Sequence, residues 1–258
     1  MNPNLTFREI FAEFLALLLY SFFEGYTILM GVNSLTTIIG TATVAASIFT
    51  IMYWMKRGYS ACHFNPIITI AMLLEKKIAV TKAGIYMLAQ ILGSYVGALM
   101  LLFFVPTNFE EMANEGNAAV GCPHLNKDFS PAAGMIVELV GGMVLTLVYL
   151  CIFTNPKLQT YTPCVASVYG MFKLGASLVT GAALDPFRYF GPALVSLNLG
   201  DFYVYLFPPL LGAILSVFLF RFLMKGTEKN DDDDDAESKM DLVENDDVEI
   251  EEEKIKAE

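Results

Sequence analysis

Two short apolar segments, each opening with an Asx-Pro pair, constrain the fold of this chain most. They lie at about 64–75 and 186–197. Both are too short to cross a bilayer, whose hydrocarbon core of about 30 Å needs roughly 20 helical residues. Asn65 and Asp185 stand at their starts, and an Asx side chain followed by proline is typical of a capped helix N-terminus. The sequence therefore predicts two half-helices.

Six longer apolar stretches surround the half-helices and qualify as membrane-spanning helices. The chain is 55% hydrophobic with a mean hydropathy of +0.52, which excludes an ordinary soluble domain. One half-helix follows the second stretch and the other follows the fifth, so that the chain divides into two matching halves. Such a pair is typical of a transport site built from broken helices. The six stretches are 10–31, 36–55, 83–105, 131–153, 162–180 and 202–224.

The formal charge of −11 belongs to the C-terminal tail. Residues 231–258 hold 15 of the 27 acidic residues against three lysines, which leaves the rest of the chain nearly neutral. Such a segment cannot bury enough apolar surface to fold. We therefore predict a disordered acidic cytosolic tail over 225–258, with a segment for trafficking or for binding a cytosolic partner as the alternative.

Basic residues near the predicted helix ends set the orientation, because they favour the cytosolic side. The long connection 106–130 carries one lysine among several acids and is predicted to be extracellular, so that both termini are cytosolic. The remaining predicted regions are the N-terminal segment 1–9, a first repeat 10–105 and a second repeat 131–224. The basic residues on the cytosolic side are Arg8, Lys56, Arg57, Lys76, Lys77, Lys82, Lys157, Lys225 and Lys229.

Glu13 and Glu138 interrupt apolar helices at matching places, each about fifty residues before the Asx-Pro pair of its half. An intramembrane carboxylate is costly and should face protein or water rather than lipid. The repetition predicts that both are structural carboxylates.

The residues around the two pairs resemble the pore-loop motifs of the major intrinsic proteins, the family of aquaporins and glycerol facilitators. Segment 60–69 (SACHFNPIIT) is similar to the first motif, and segment 179–193 (VTGAALDPFRYFGPA) to the second. This chain is atypical, since NPI and DPF replace two copies of NPA. The resemblance runs from about residue 8 to 224. It implies an all-α membrane protein with an aquaporin-like fold, six transmembrane helices and two re-entrant half-helices in inverted repeat, assembled as a homotetramer.

By this resemblance, the pore motif consists of Asn65, Pro66, Asp185 and Pro186 where the half-helices meet. An Asn at each position donates its amide to the permeating molecule, and the helix N-termini repel cations. Asn65 keeps this role, whereas an ionised Asp185 can only accept a hydrogen bond. Two interpretations of Asp185 remain open: a helix cap alone, or a charge that weakens the barrier to cations or changes which solutes bind, unless Arg188 neutralises it.

The resemblance also implies a selectivity filter at Ala45, Lys173, Ala182 and Arg188. Arg188 would bind the solute and repel cations. The four residues match neither the water-selective nor the glycerol-passing pattern of the family. Lys173 either adds positive charge to the filter, pairs with Asp185, or snorkels to the outer interface if the alignment is off by one turn.

Cys62 and His63 are predicted to line the cytosolic vestibule of the pore. Cys62 precedes Asn65 by three residues, as Ala182 precedes Asp185. The alternatives are a small buried thiol for Cys62 and, for His63, a side chain that holds the loop by hydrogen bonds.

The predicted function is passive permeation of water and small uncharged solutes, such as glycerol, urea or ammonia, across the lipid bilayer. The sequence contains no nucleotide-binding loop, metal-ligand spacing or cofactor motif and only two histidines, so we expect no catalysis, no metal or cofactor, and no nucleic-acid partner. One alternative is a pore-closed adhesion or scaffold protein, which Ile67, Phe187 and Lys173 support. An ion-coupled transporter is the other.

Overall fold

The computed structural model describes residues 6–30, 34–55, 62–104 and 120–224, and within these ranges all regular structure is helical. Residues up to Val217 form one compact unit, and the end of the last helix, from Phe218, belongs to a second. The acidic tail 225–258 and residues 106–119 of the predicted connection lie outside the described residues. The α-helices are α1 (Phe7–Met30), α2 (Ser34–Met55), α3 (Pro66–Leu74), α4 (Val80–Leu101), α5 (Pro131–Thr154), α6 (Pro163–Thr180), α7 (Pro186–Ser196) and α8 (Phe202–Met224).

The half-helices α3 and α7 begin with the same local chemistry. The Asn65 side chain accepts a hydrogen bond from the backbone N–H of Ile67, and Asp185 accepts from Phe187 and Arg188. A proline follows each cap, where its missing N–H would have no helical partner in any case. Both helices are thus capped by the residue that the sequence places at the pore.

Close backbone contacts tie the long helices together in matching pairs. In the first half, Gly93 of α4 lies so close to α1 that a Cβ there would collide with the Phe14 carbonyl oxygen. In the second half, a Cβ on Gly212 of α8 would collide with the Leu139 carbonyl oxygen of α5. Small residues permit this approach between helices in a membrane, where packing rather than the hydrophobic effect drives association. The same close contact between a glycine and a backbone carbonyl therefore joins the first and last long helices of each half.

Five of the described helices are long and apolar enough to cross a membrane: α1, α2, α4 with the 3₁₀ turn after it, α5 and α8. Helix α6, at the fifth predicted span, is less apolar because it contains Lys173, two serines and a proline. Several charged side chains within these helices, such as Glu13, Glu138 and Lys173, are buried, whereas many of their apolar side chains are exposed, as expected of helices that face lipid. Exposed apolar residues on these helices include Ile51, Trp54, Leu88, Leu92, Ile136, Leu174, Leu178, Phe207 and Leu211.

Candidate solute pathway

Two buried glutamates hold the two pore loops in the same way. Glu13 accepts hydrogen bonds from the backbone N–H groups of His63 (2.6 Å) and Phe64 (2.7 Å). Glu138 accepts from Ala183 (3.0 Å) and Leu184 (2.8 Å). Each glutamate also accepts one side-chain hydrogen bond, Glu13 from Gln90 and Glu138 from Thr180. The structure therefore gives each carboxylate three donors, and the two loops are related as inverted copies.

The backbone of the two loops repeats the same unusual conformation. Phe64 (φ 55°) and Leu184 (φ 52°) both lie in the left-handed region, which non-glycine residues rarely adopt. Each directly precedes its Asx cap, and each donates its N–H to the glutamate of its own half. The carboxylates therefore stabilise a turn that presents the next side chain, Asn65 or Asp185, at the pathway centre.

Asn65 links the two halves of the molecule. Its Oδ1 caps α3, and its Nδ2 donates to the carbonyl oxygen of Leu184 (2.8 Å) and to the hydroxyl of Tyr169 (2.7 Å). The Leu184 carbonyl belongs to the opposite loop, so this contact joins the two half-helix starts. Tyr169 is a residue that the sequence interpretation missed.

Asp185 uses one carboxylate oxygen as a cap and leaves the other free. Its Oδ1 accepts from the backbone N–H groups of Phe187 (2.8 Å) and Arg188 (3.2 Å). Its Oδ2 is buried and has no hydrogen-bond partner among the described residues. The suggestion that Lys173 pairs with Asp185 is wrong for this conformation, and the Arg188 guanidinium likewise turns to a different acid.

That acid is Glu24 of α1, which binds both cations of the predicted filter. Arg188 Nε lies 2.6 Å from one Glu24 carboxylate oxygen, and Lys173 Nζ pairs with the other. Backbone carbonyls complete the cluster, since Gly121 accepts from Arg188 (2.7 Å) and Gly181 accepts from Lys173 (2.6 Å). All three charged side chains are at most 1% exposed, which excludes snorkelling of Lys173 to the interface. The reason is electrostatic: a buried lysine needs a counter-ion, and Glu24 is closer than Asp185.

The other two residues mapped to the filter are small and fully buried. Ala182 follows the Gly181 carbonyl that Lys173 binds, and its N–H donates to Thr180 Oγ1 at 3.1 Å. Ala45 lies on α2, which packs against α6. The structure thus joins Lys173 and Arg188 through Glu24 and places Ala182 beside them.

Cys62 and His63 are both buried rather than exposed to a vestibule. Cys62 is 3% exposed, and its carbonyl oxygen accepts from the Tyr149 hydroxyl at 3.3 Å. His63 Nδ1 lies 3.0 Å from Thr69 Oγ1, and its ring makes edge contacts with Tyr86 and Tyr149. These contacts favour the alternative in which His63 holds the loop.

A cavity of about 230 Å³ borders the charged cluster at Glu24. Glu24, Thr41, His124, Asn126 and Ser177 are among the residues that line it. Because Glu24 is one of its lining residues, the cavity lies next to the cluster. Among the described residues, no group of three His, Cys, Asp or Glu side chains could hold a metal ion.

The sequence gives a partial indication of Glu24 and none of Tyr169. Glu24 gives the same signal as Glu13, a carboxylate inside an apolar helix, but its partners lie 149 and 164 residues away along the chain. Tyr169 gives no comparable signal, since a tyrosine in an apolar helix is common. Only the packing of α6 against the loops shows what it touches.

The described part of the chain has six long helices and two capped half-helices, with buried carboxylates holding both pore loops, which is the arrangement of a membrane channel of the inverted-repeat class. The major intrinsic protein family model matches residues 2–220, and the chain belongs to this family. The chain is 31% identical to aquaporin-5 of Rattus norvegicus, over 84% of this chain and 81% of that protein. It is 25% identical to aquaporin A of Dictyostelium discoideum, over 87% and 81%.

The solved structure of the aquaglyceroporin from Plasmodium falciparum matches with a TM-score of 0.66 at 21% identity, covering 83% of this chain and 94% of that one. At this identity the likeness shows the fold. The predicted family and the predicted aquaporin-like fold are thus confirmed, and the chain is a multi-pass integral membrane protein. The family relationship supports a passive channel over the scaffold and ion-coupled alternatives.

Proposed function

We propose that this protein is a passive channel for water and for at least one small uncharged solute such as glycerol, urea or ammonia. The observation that carries this proposal is the charge balance of the pathway. Asp185, Lys173 and Arg188 of the predicted pore motif and filter are buried with Glu24, and these four formal charges cancel when all are ionised. The two further buried carboxylates of the loops, Glu13 and Glu138, are held by backbone N–H groups. An ion entering such a site would lose hydration without a net opposite charge to replace it. An uncharged solute does not meet that barrier.

Two buried polar groups in the pathway are suited to bind such a solute. Arg188 Nη1 is a donor and Asp185 Oδ2 an acceptor, and neither has a hydrogen-bond partner among the described residues. Leaving a buried polar group unpaired is costly, so both favour a solute that donates and accepts hydrogen bonds. We assign Arg188 as the solute donor, Asp185 as the acceptor, and Glu24 as the counter-ion that positions Arg188 and Lys173.

The remaining parts of the proposal concern assembly and orientation. Members of the family are membrane-embedded channels that commonly form tetramers. We propose a homotetramer with one pathway in each subunit, both termini in the cytosol, and no catalytic activity. The distribution of basic residues supports the orientation. The acidic tail would remain available on the cytosolic side for a protein partner.

Solute-dependent swelling of vesicles tests the proposed function. Purified protein is reconstituted into vesicles, which are mixed rapidly with glycerol, urea or ammonium gradients. We expect faster re-swelling than in protein-free vesicles for at least one of these solutes, and no saturation with concentration. Saturable uptake that depends on an ion gradient would contradict the proposal and indicate a coupled transporter.

A further inference from the structure

Tyr169 occupies the hydrogen-bonding position that a solute needs at the centre of the pathway. The Asn65 side-chain amide has two N–H donors. One binds the Leu184 carbonyl, and the other binds the Tyr169 hydroxyl oxygen at 2.7 Å. No donor of this amide is therefore left for a permeating molecule in this conformation.

The Tyr169 ring is part of a buried aromatic layer, formed by Tyr20, Phe49 and Tyr169. Tyr169 stacks on Phe49 with ring centroids 4.3 Å apart, and Tyr20 packs edge-on against both rings. All three side chains are 0% exposed. They come from α1, α2 and α6, so three helices contribute to one layer.

This aromatic layer lies one helical turn from the counter-ion Glu24 and the predicted filter residues Ala45 and Lys173, which are on the same three helices. Tyr20 precedes Glu24 by four residues, Phe49 follows Ala45 by four, and Tyr169 precedes Lys173 by four. Residues four apart lie on the same face of a helix. The Tyr20 ring indeed contacts the cations of the filter, 5.9 Å from Lys173 Nζ and 5.7 Å from the Arg188 guanidinium carbon.

We propose that Tyr169 is the residue that sets the permeability of the channel, by blocking the pathway between the filter and Asn65. Its hydroxyl takes the place of a solute oxygen at Asn65, and its ring, supported by Phe49 and Tyr20, fills the space around it. Conduction requires that the side chain turn away, which releases the Asn65 N–H and opens the layer. This inference rests on the proposed channel function.

The test compares osmotic water permeability of vesicles that contain wild type, Tyr169→Ala, Tyr169→Phe or Phe49→Ala at equal protein density. We expect Tyr169→Ala to raise the permeability by more than about tenfold, because it removes the ring as well as the hydroxyl, and one hydrogen bond in a barrier already corresponds to up to about tenfold. Tyr169→Phe keeps the ring and loses only the hydroxyl, so its gain should be smaller. Tyr205→Ala is the matched control, because it deletes a buried tyrosine ring in contact with Tyr189 rather than with Asn65.

Every outcome decides the proposal. A folded Tyr169→Ala variant whose water permeability does not exceed that of wild type overturns the proposal. If wild-type vesicles are nevertheless more permeable than empty vesicles, the proposed channel function is retained without the Tyr169 block. If Tyr169→Ala vesicles are permeable to water and wild-type vesicles are no more permeable than empty ones, the Tyr169 block is supported. The same result contradicts the proposal that the wild-type channel is open. If Tyr169→Ala does not elute as a folded protein in detergent, Phe49→Ala opens the same layer from α2, and an unchanged permeability there overturns the proposal. An equal gain in Tyr205→Ala would also overturn it, because the effect would then be loss of packing.

Discussion

At the scale of single residues, Glu24 explains how a lysine and an arginine can be buried side by side. Each cation alone would be expensive to bury, and the two would repel each other. The carboxylate lies between them and gives one oxygen to each, while two backbone carbonyls accept the next N–H groups. The atypical Lys173 therefore belongs with Glu24 rather than with the atypical Asp185.

Replacing Glu24 by Gln should strongly destabilise the protein. The change removes the buried negative charge and leaves Lys173 and Arg188 unpaired, a loss of about 3–5 kcal/mol. The midpoint of thermal unfolding in detergent should fall clearly below that of the wild type. Asp128→Asn is the matched control, because Asp128 is exposed and the same change there should cost at most about 0.5 kcal/mol. Equal midpoints for wild type and Glu24→Gln would contradict the counter-ion role.

Substitutions of Asp185 separate its capping role from its charge. Asparagine caps as well as aspartate, so Asp185→Asn should keep the wild-type stability, whereas Asp185→Ala should lose about 1 kcal/mol. Thermal unfolding in detergent measures this difference.

If the Asp185 charge weakens the barrier to cations, cation currents under voltage clamp should fall in Asp185→Asn. Equally small currents in both proteins would contradict a weakened cation barrier and leave helix capping and solute binding as the roles of Asp185.

At the scale of elements, the half-helices and the long helices around them were predictable because local chemistry specifies them. Asx-Pro pairs mark the starts of α3 and α7, apolar length marks the spans, and the repeated glutamates mark the loops they hold. The contacts of Lys173 and Tyr169 were not predictable from sequence. They depend on which face of α6 meets α1 and α3, and no spacing along the chain determines that.

The close packing of α4 on α1 predicts opposite effects for two glycines on one helix. Gly93→Ala would place a Cβ against the Phe14 carbonyl, so it should reduce folding and assembly. Gly84→Ala meets no atom within 4 Å and replaces glycine by a better helix former, so it should be neutral or stabilise by up to about 1 kcal/mol. Elution profile and thermal unfolding in detergent distinguish the two. A Gly93→Ala variant as stable as Gly84→Ala would show that the helices can separate without cost.

At the scale of the whole molecule, several charged side chains within the described spans are buried, such as Glu13, Glu24 and Lys173, whereas many apolar side chains of the same helices are exposed. The buried charges are paired or held by backbone amides, and those in the pathway cancel one another. Family membership and fold agree with a channel, and the neutral pathway favours an uncharged solute. Asp185 and Lys173, which depart from the family motifs, thus change the lining of the pathway. The helices and the glutamate-held loops around it keep the architecture of the family.

The central claim is that this neutral pathway conducts water but not ions. Osmotic shrinkage and ionic conductance of the same reconstituted preparation test it most directly. A mannitol gradient should shrink vesicles containing the protein faster than protein-free vesicles, while planar bilayers formed from them show no added current. Shrinkage no faster than in protein-free vesicles, or water flow accompanied by a cation current, would contradict the account.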